Sequence, residues 1–183
     1  MSIALTLLSY EHGILRQVID VLKEAAEGQN VEKYMARMAE IVRFLHVYMD
    51  QFHHGKEEQF LFPTVITVSA LLSDEIPKLI REHQHAKGLL KTMASEIKQK
   101  DTSRFYEASR ALVEHMTSHI NKEEGVVFPR IERMLTPEEN RRIRREYSDF
   151  NKHFGPEFYR KSEEFAKRVQ DEILGPRAFK NMD

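Results

Sequence analysis

Apolar residues recur along most of this chain at steps of three and four. Leu5, Leu8, His12, Leu15, Ile19 and Leu22 make one stripe, and Gly28 supplies a stop signal. A second stripe starts near Val31 and runs through Met38, Val42, His46, Met49, His53, Glu57 and Phe60. The third opens near Ser73 or Asp74, with Pro77 in its first turn, and continues through Ile76, Ile80, His83, Leu90, Met93 and Ile97. The fourth follows Thr102 and Ser103 and carries Phe105, Ala108, Leu112, His115, His119, Glu123 and Val126. Short polar links join these helical stripes, as an antiparallel bundle requires. The pattern predicts an all-α chain in which residues 1–135 form an antiparallel four-helix bundle of two similar hairpins. Residues 136–183 read as a C-terminal helical extension. Thr136, Pro137 and Glu139 are an N-cap, an N1 proline and an N3 glutamate. The face Ile143, Tyr147, Phe150, Phe154 is expected to pack on the bundle. Gly155-Pro156 interrupts it, and a last helix spans Glu157 to about Ile173.

Composition agrees with long amphipathic helices: of 183 residues only 7 are Gly and 6 Pro, while 31% are charged. Cysteine is absent, which removes disulfides, thiolate metal sites and cysteine nucleophiles. That suits a reducing compartment, and a cytoplasmic location is expected. The apolar runs are short and broken by charge, so no membrane-spanning helix is expected. The opening MSIALTLLSYEHG has neither a basic start nor a small-residue cleavage site, so it does not read as a signal peptide. A net charge of −1 gives no bulk reason for nucleic acid or anionic lipid as a partner. The run Arg141-Arg142-Ile143-Arg144-Arg145 reads as a solvated face around a buried Ile143.

The chemistry lies in a repeat. HHGKEEQFLFP, from His53 to Pro63, aligns without gaps to HINKEEGVVFP, from His119 to Pro129. Each copy is preceded by a Glu-His pair, Glu11-His12 and Glu82-His83. Residues four apart share a helix face. His53 with Glu57, and His119 with Glu123, therefore each offer an imidazole and a carboxylate to one point, and His12 and His83 sit inside apolar stripes. Six such groups facing one interior need mutual satisfaction or a metal. The donor set suits two first-row ions, with imidazole and carboxylate typical of non-haem iron.

On these residues the chain resembles the hemerythrin-like (HHE cation-binding) proteins over roughly residues 5 to 135. The resemblance implies an oxo- or hydroxo-bridged di-iron centre. His12, His53, His83 and His119 would be terminal ligands and Glu57 and Glu123 bridges. It also implies a small ligand such as O2, H2O2 or NO, either reduced in a stress response or sensed. A non-catalytic oxygen or iron sensor or storage module acting through a protein partner is the alternative. Oxygen-carrying members use five His, two of them at i, i+4 on one helix. Here the residue four beyond His83 is Lys87. His46 and His115 are open between extra ligand, support for a ligand and plain packing. If neither ligates, the spare coordination favours peroxide chemistry.

His54 and Glu58 form an alternative i, i+4 pair. The repeat disfavours it because residue 120 is Ile, so His54 is read more readily beside the ligands or at the surface, with His54 and Glu58 kept as candidate extra ligands. Tyr10 and Tyr48 lie within reach of the site, or simply pack. Phe62-Pro63 and Phe128-Pro129 are read as ending the ligand helices, and His85 and His153 as facing solvent. A ferritin-like site needs two Glu-x-x-His motifs, and only Glu82-His85 fits, which argues against it.

Overall fold

The computed structural model describes residues 2–27, 34–68 and 72–175. Gly28 and Val31, read from sequence as a stop and a start, lie outside the described residues. Helix α1 covers Ile3–Glu27. Helix α2 runs unbroken over 35–68, built from Met35–Leu45, a π-helical stretch His46–His53, one turn His54–Lys56, a second π stretch Glu57–Leu61, and Phe62–Val68. Helix α3 is Ile76–Gln99, with Pro77 in its first turn. Helix α4 runs over 102–132, with a π stretch at Glu123–Val127. These four make the bundle, α1 lying against α2 and α4, and α3 against both of them as well.

The link from α3 to α4 is tight for a local reason. Lys100 takes the left-handed conformation (φ 58°), and the amides of Lys100 and Asp101 return to the carbonyls of Ile97 and Glu96. The side chain of Asp101 then caps α4 by accepting from Arg104 N at 3.0 Å. The cap sits one residue before the Thr102 signal.

Two apolar clusters stack along the bundle axis. One gathers Leu15, Leu22, Met38, Leu45, Met93, Phe105 and Leu112, and the other Leu5, Leu61, Phe62, Leu79, Phe128 and Ile131. Between them α1 contributes residues 11 and 12, α2 residues 53–57, α3 residue 83, and α4 residues 119 and 123. That polar layer is sealed above and below by hydrocarbon.

The extension wraps one side of this stack. Helix α5, Pro137–Asn151, starts with a complete capping box at Thr136 and Glu139 and continues as a tight turn over Lys152–Phe154. Gly155, at φ 90°, ends it. Helix α6 is Phe158–Ile173. Ile143 and Tyr147 join one apolar cluster, and Ala166 and Val169 the other. The arginines flanking buried Ile143 are exposed, and Arg142 donates to Thr64 Oγ1 at 2.9 Å. The Phe150 ring packs close over Gly55, where a Cβ would lie 3.1 Å from its Cζ and the ring would have to shift to admit it.

Three expectations fail at the π stretches, where i→i+5 bonding widens the turn. After Glu123 the core positions become Val127 and Phe128, and Val126 is 43% exposed. After Glu57 they become Leu61 and Phe62, while Phe60 is only half-buried, against Tyr147 and Phe150. The Phe-Pro pairs do not end their helices: both helices continue, to Val68 and to Glu132. A proline inside a helix clashes with the carbonyl four residues back, and each here follows a widened turn that relaxes the clash.

Candidate metal centre

Buried His and Glu side chains converge in the polar layer as two groups. His54, Glu57, His83 and His119 form one; His12, His53, Glu57 and Glu123 form the other, and in each the ligand atoms lie within 4.8 Å of one another. Glu57 belongs to both. Glu123 also spans them, with Oε2 3.2 Å from His12 Nε2 and 3.4 Å from His119 Nε2. His83 Nε2 lies 3.4 Å from Glu57 Oε2 and 3.2 Å from His119 Nε2. All six residues expected from the repeat thus meet at one centre.

The ring orientations have a shared cause. Each of the four repeat-matched imidazoles turns Nδ1 outward to a carboxylate. His53 donates to Glu11 at 2.9 Å, and His119 to Glu82 at 2.9 Å. His12 donates to Glu124 at 3.0 Å, and His83 to Glu58 at 2.7 Å. The first two acceptors are the glutamates of the Glu-His pairs. The other two are the second glutamates of the Lys-Glu-Glu runs. Such carboxylate–imidazole bonds fix the tautomer and point the Nε2 lone pair at the centre. Lys56 and Lys122 then each bond one of the pair glutamates, Glu11 and Glu82. Glu58 is 40% exposed in its side chain and serves His83 from outside the centre.

His54 is not at the surface, one of the places the sequence left open for it. Its ring is buried, stacked on His83 with centroids 3.7 Å apart, and neither of its nitrogens has a partner. The π stretch ending at His53 explains its burial. Wide turns bring neighbouring residues inward together, here Tyr48 with Met49 and Phe52 with His53, and His54 follows them. The two residues left open instead lie outside the centre. His46 is exposed and pairs with Asp50 at 3.2 Å. His115 is half-buried and donates to the Glu82 carbonyl at 2.8 Å. Lys87 pairs with the same Asp50 at 3.1 Å.

Polar atoms at the centre have nothing to bond. His12 Nε2, His53 Nε2, both nitrogens of His54 and all four oxygens of Glu57 and Glu123 are buried without a hydrogen-bond partner. Burying such groups unpaired is costly, and metal ions accepting their lone pairs would offset it. The electrostatics agree. Burial, then the charge of Glu123, holds the Glu57 carboxyl well above its usual range. Burial opposes ionisation of Glu123, yet the imidazoles of His119 and His12 close to it bring it down to about 2. Burial and the charge on His12 bring His53 down to about 4.

The Hemerythrin HHE cation binding domain profile matches residues 4–131 and, a second time, residues 74–155. The chain belongs to that hemerythrin family. The second match starts just ahead of the Glu82-His83 pair and takes in the second hairpin together with α5. No curated protein and no solved structure matches the chain. Among the described residues of this hemerythrin-family chain, no helix is long and apolar enough to cross a membrane.

Several contributors carried no sequence reading of their own. Glu11, Glu82, Lys56 and Lys122 recur at matched positions of the repeat, and that recurrence was the available signal. Tyr159 reaches the polar layer from the extension, and nothing in its own spacing marks it, while Tyr147, read only as part of the packing face of the extension, lies with its ring 5.5 Å from Lys56 Nζ. Of the tyrosines considered earlier, Tyr48 is buried with an unpartnered hydroxyl, while Tyr10 is 44% exposed.

Proposed function

We propose that this chain holds two iron ions and uses them to bind or reduce a small oxidant, O2, H2O2 or NO. One ion would be held by His54, His83 and His119, the other by His12 and His53, with Glu57 and Glu123 between them. The observation that carries the reading is the convergence of unpartnered imidazole nitrogens and carboxylate oxygens in a buried layer. Soft thiolate ligands are absent, and a mixed imidazole–carboxylate set suits iron. When bound, iron supplies the redox chemistry. The chain's own part is to keep the Nε2 atoms of His12, His53, His83 and His119 aimed inward through their Nδ1–carboxylate bonds, and to exclude water with hydrocarbon on both sides.

The two ions would differ in nitrogen donors, three imidazoles against two. The position built on His12 and His53 has fewer protein ligands and is the natural entry point for a small molecule. His54 also supports a second reading. It raises the imidazole count to five, the number that the family's oxygen carriers use, so the shortage of nitrogen ligands no longer argues for turnover. Reversible binding or sensing is the alternative on that ground.

Iron loading under anaerobic conditions, followed by metal analysis and spectra with O2, H2O2 and NO, tests both. About two ions per chain are expected from the donor count. A stable adduct released under vacuum selects the carrier or sensor, and consumption of peroxide selects the enzyme. A single ion held by only three or four of these side chains overturns the di-iron reading.

A further inference from the structure

A line of side chains leads from the centre through Glu11 and Tyr159 to Tyr10 at the surface. Glu11 Oε2 accepts from His53 Nδ1 at 2.9 Å, and Glu11 Oε1 accepts from the Tyr159 hydroxyl at 2.5 Å. One carboxylate therefore joins a candidate ligand to a phenol of the extension. The Tyr159 ring lies 5.8 Å from that of Tyr10, which is 44% exposed and donates its hydroxyl to Glu163. Lys56, fully buried, donates to both Glu11 Oε1 at 2.5 Å and the Tyr159 oxygen at 2.8 Å, fixing the phenol in place.

We propose that Tyr159 and Tyr10 form a one-electron relay between the metal centre and the surface, discharged at Tyr10 by a small phenolic reductant. The inference rests on the reading that the centre reacts with oxidants. Three observations select these two residues. The chain has no Trp and no Cys, so tyrosine is its main redox-active aromatic side chain. Tyr48 and Tyr147 are also buried nearby, yet their hydroxyls have no partner to take a proton. Tyr159 and Tyr10 each bond a carboxylate. The repeat supplies the contrast: Arg81 stands where Tyr10 stands, and Glu82 meets His119 and Lys122 rather than a tyrosine.

The step balances. Tyr159 gives one electron to the peroxide-oxidised centre while its O–H bond breaks and the proton crosses to Glu11, leaving a neutral phenoxyl held by Lys56. Tyr10 then gives an electron to Tyr159. Glu11 returns its proton to the Tyr159 oxygen, and the Tyr10 proton passes to Glu163 and on to solvent. An external phenol restores Tyr10 by transfer of a hydrogen atom. Two such passages supply the two electrons that convert H2O2 to water, with protons from solvent.

The test uses the full chain, iron-loaded, reduced and mixed with H2O2, then freeze-quenched for electron paramagnetic resonance. Iron content and peroxide loss are measured on the same samples. A tyrosyl radical is expected in the natural sequence and in Tyr106→Phe, and its loss in Tyr159→Phe. In Tyr10→Phe the radical should remain on Tyr159 and decay about tenfold more slowly with added 4-methoxyphenol. Equal radical yield in Tyr159→Phe, or no radical where iron is bound and peroxide consumed, overturns the relay and leaves the proposed function standing. If Tyr159→Phe fails to fold, exposed Tyr10 decides, and an unchanged decay rate in Tyr10→Phe overturns the relay. Absence of iron binding overturns the function and the relay together, whereas bound iron that does not react with peroxide overturns the relay and leaves O2 or NO binding standing.

Discussion

The imidazole of His54 lies face to face with that of His83, centroids 3.7 Å apart and planes within 4°. Two rings on different helices, one with both nitrogens unpartnered, make sense as neighbours on one ion. His54→Leu keeps the volume and removes the donor. It should lower the iron content by about one ion per chain, since one group loses an imidazole while the other keeps its own. His46→Leu should leave the content unchanged. Equal iron in both variants, by metal analysis after anaerobic loading, would sink the assignment.

Glu57 and Glu58 are adjacent and should behave differently. Glu57 is buried and shared by both ligand groups, whereas Glu58 only receives the Nδ1 proton of His83. Glu57→Ala is expected to abolish loading at both positions. Glu58→Ala should weaken uptake by about ten- to a hundredfold, the usual effect of removing a carboxylate behind a ligating His. A competition titration with a chelator reads both. If the Glu58 change strips the metal and the Glu57 change does not, the register is wrong by one residue.

The bundle was legible because a 3.6-residue period needs only one amphipathic face per helix, and the ligand set because it occurs twice. His54 was not legible for a matching reason. The repeat places Ile120 opposite it, and a regular helix turns neighbouring residues about 100° apart. The π stretch that turns His54 inward leaves no mark in an alternation of polar and apolar residues. The partners of Glu11 were hidden by distance along the chain, since Tyr159 lies 148 positions away. Only folding brings the extension to the centre.

Metal uptake should weaken as pH falls. Burial opposes protonation of His12, but the carboxylates of Glu123 and Glu124 beside it outweigh that and raise it above its usual range. Glu57 is raised by burial and by Glu123. Both must lose a proton to ligate, so loading releases protons. The metal-free chain follows the opposite sign. A group raised on folding stabilises below its unfolded pKa and loses that contribution as pH rises through its folded value. His53, brought down to about 4, acts the other way only as pH falls below the ordinary His value, about 6.5. Chelator-treated protein should therefore melt lower at about pH 8 than at about pH 6.5, and iron should remove the difference. Thermal melts with and without iron check this, and a metal-free chain that is more stable at the higher pH would contradict it.

The two halves of the repeat should differ most at their lysines. Lys56 and Lys122 occupy matched positions and each bonds the glutamate that orients a ligand His. Their surroundings differ because the extension covers one side. Lys56 is fully buried, with its ammonium 3.6 Å from the Phe52 ring centroid and bonded to Glu11 and Tyr159. Burial lowers its pKa despite the pull of Glu11. Lys122 is 38% exposed and Glu82 23% exposed, so water replaces whatever either loses. Removing one partner of a buried pair strands the other charge and costs about 3–5 kcal/mol, whereas an exposed pair contributes about 0–1 kcal/mol. Lys56→Ala is thus expected to destabilise the iron-free chain severely, and Lys122→Ala only slightly. A further expectation separates pairing from packing. In Lys56→Ala, also changing Glu11→Gln should recover part of the loss, because no carboxylate is then left buried at position 11 without its ammonium partner. Urea unfolding of the single and double variants measures this. Equal losses at the two lysines would mean that the extension does not dehydrate its half of the site, and the structural basis for treating the halves as unlike would go with it.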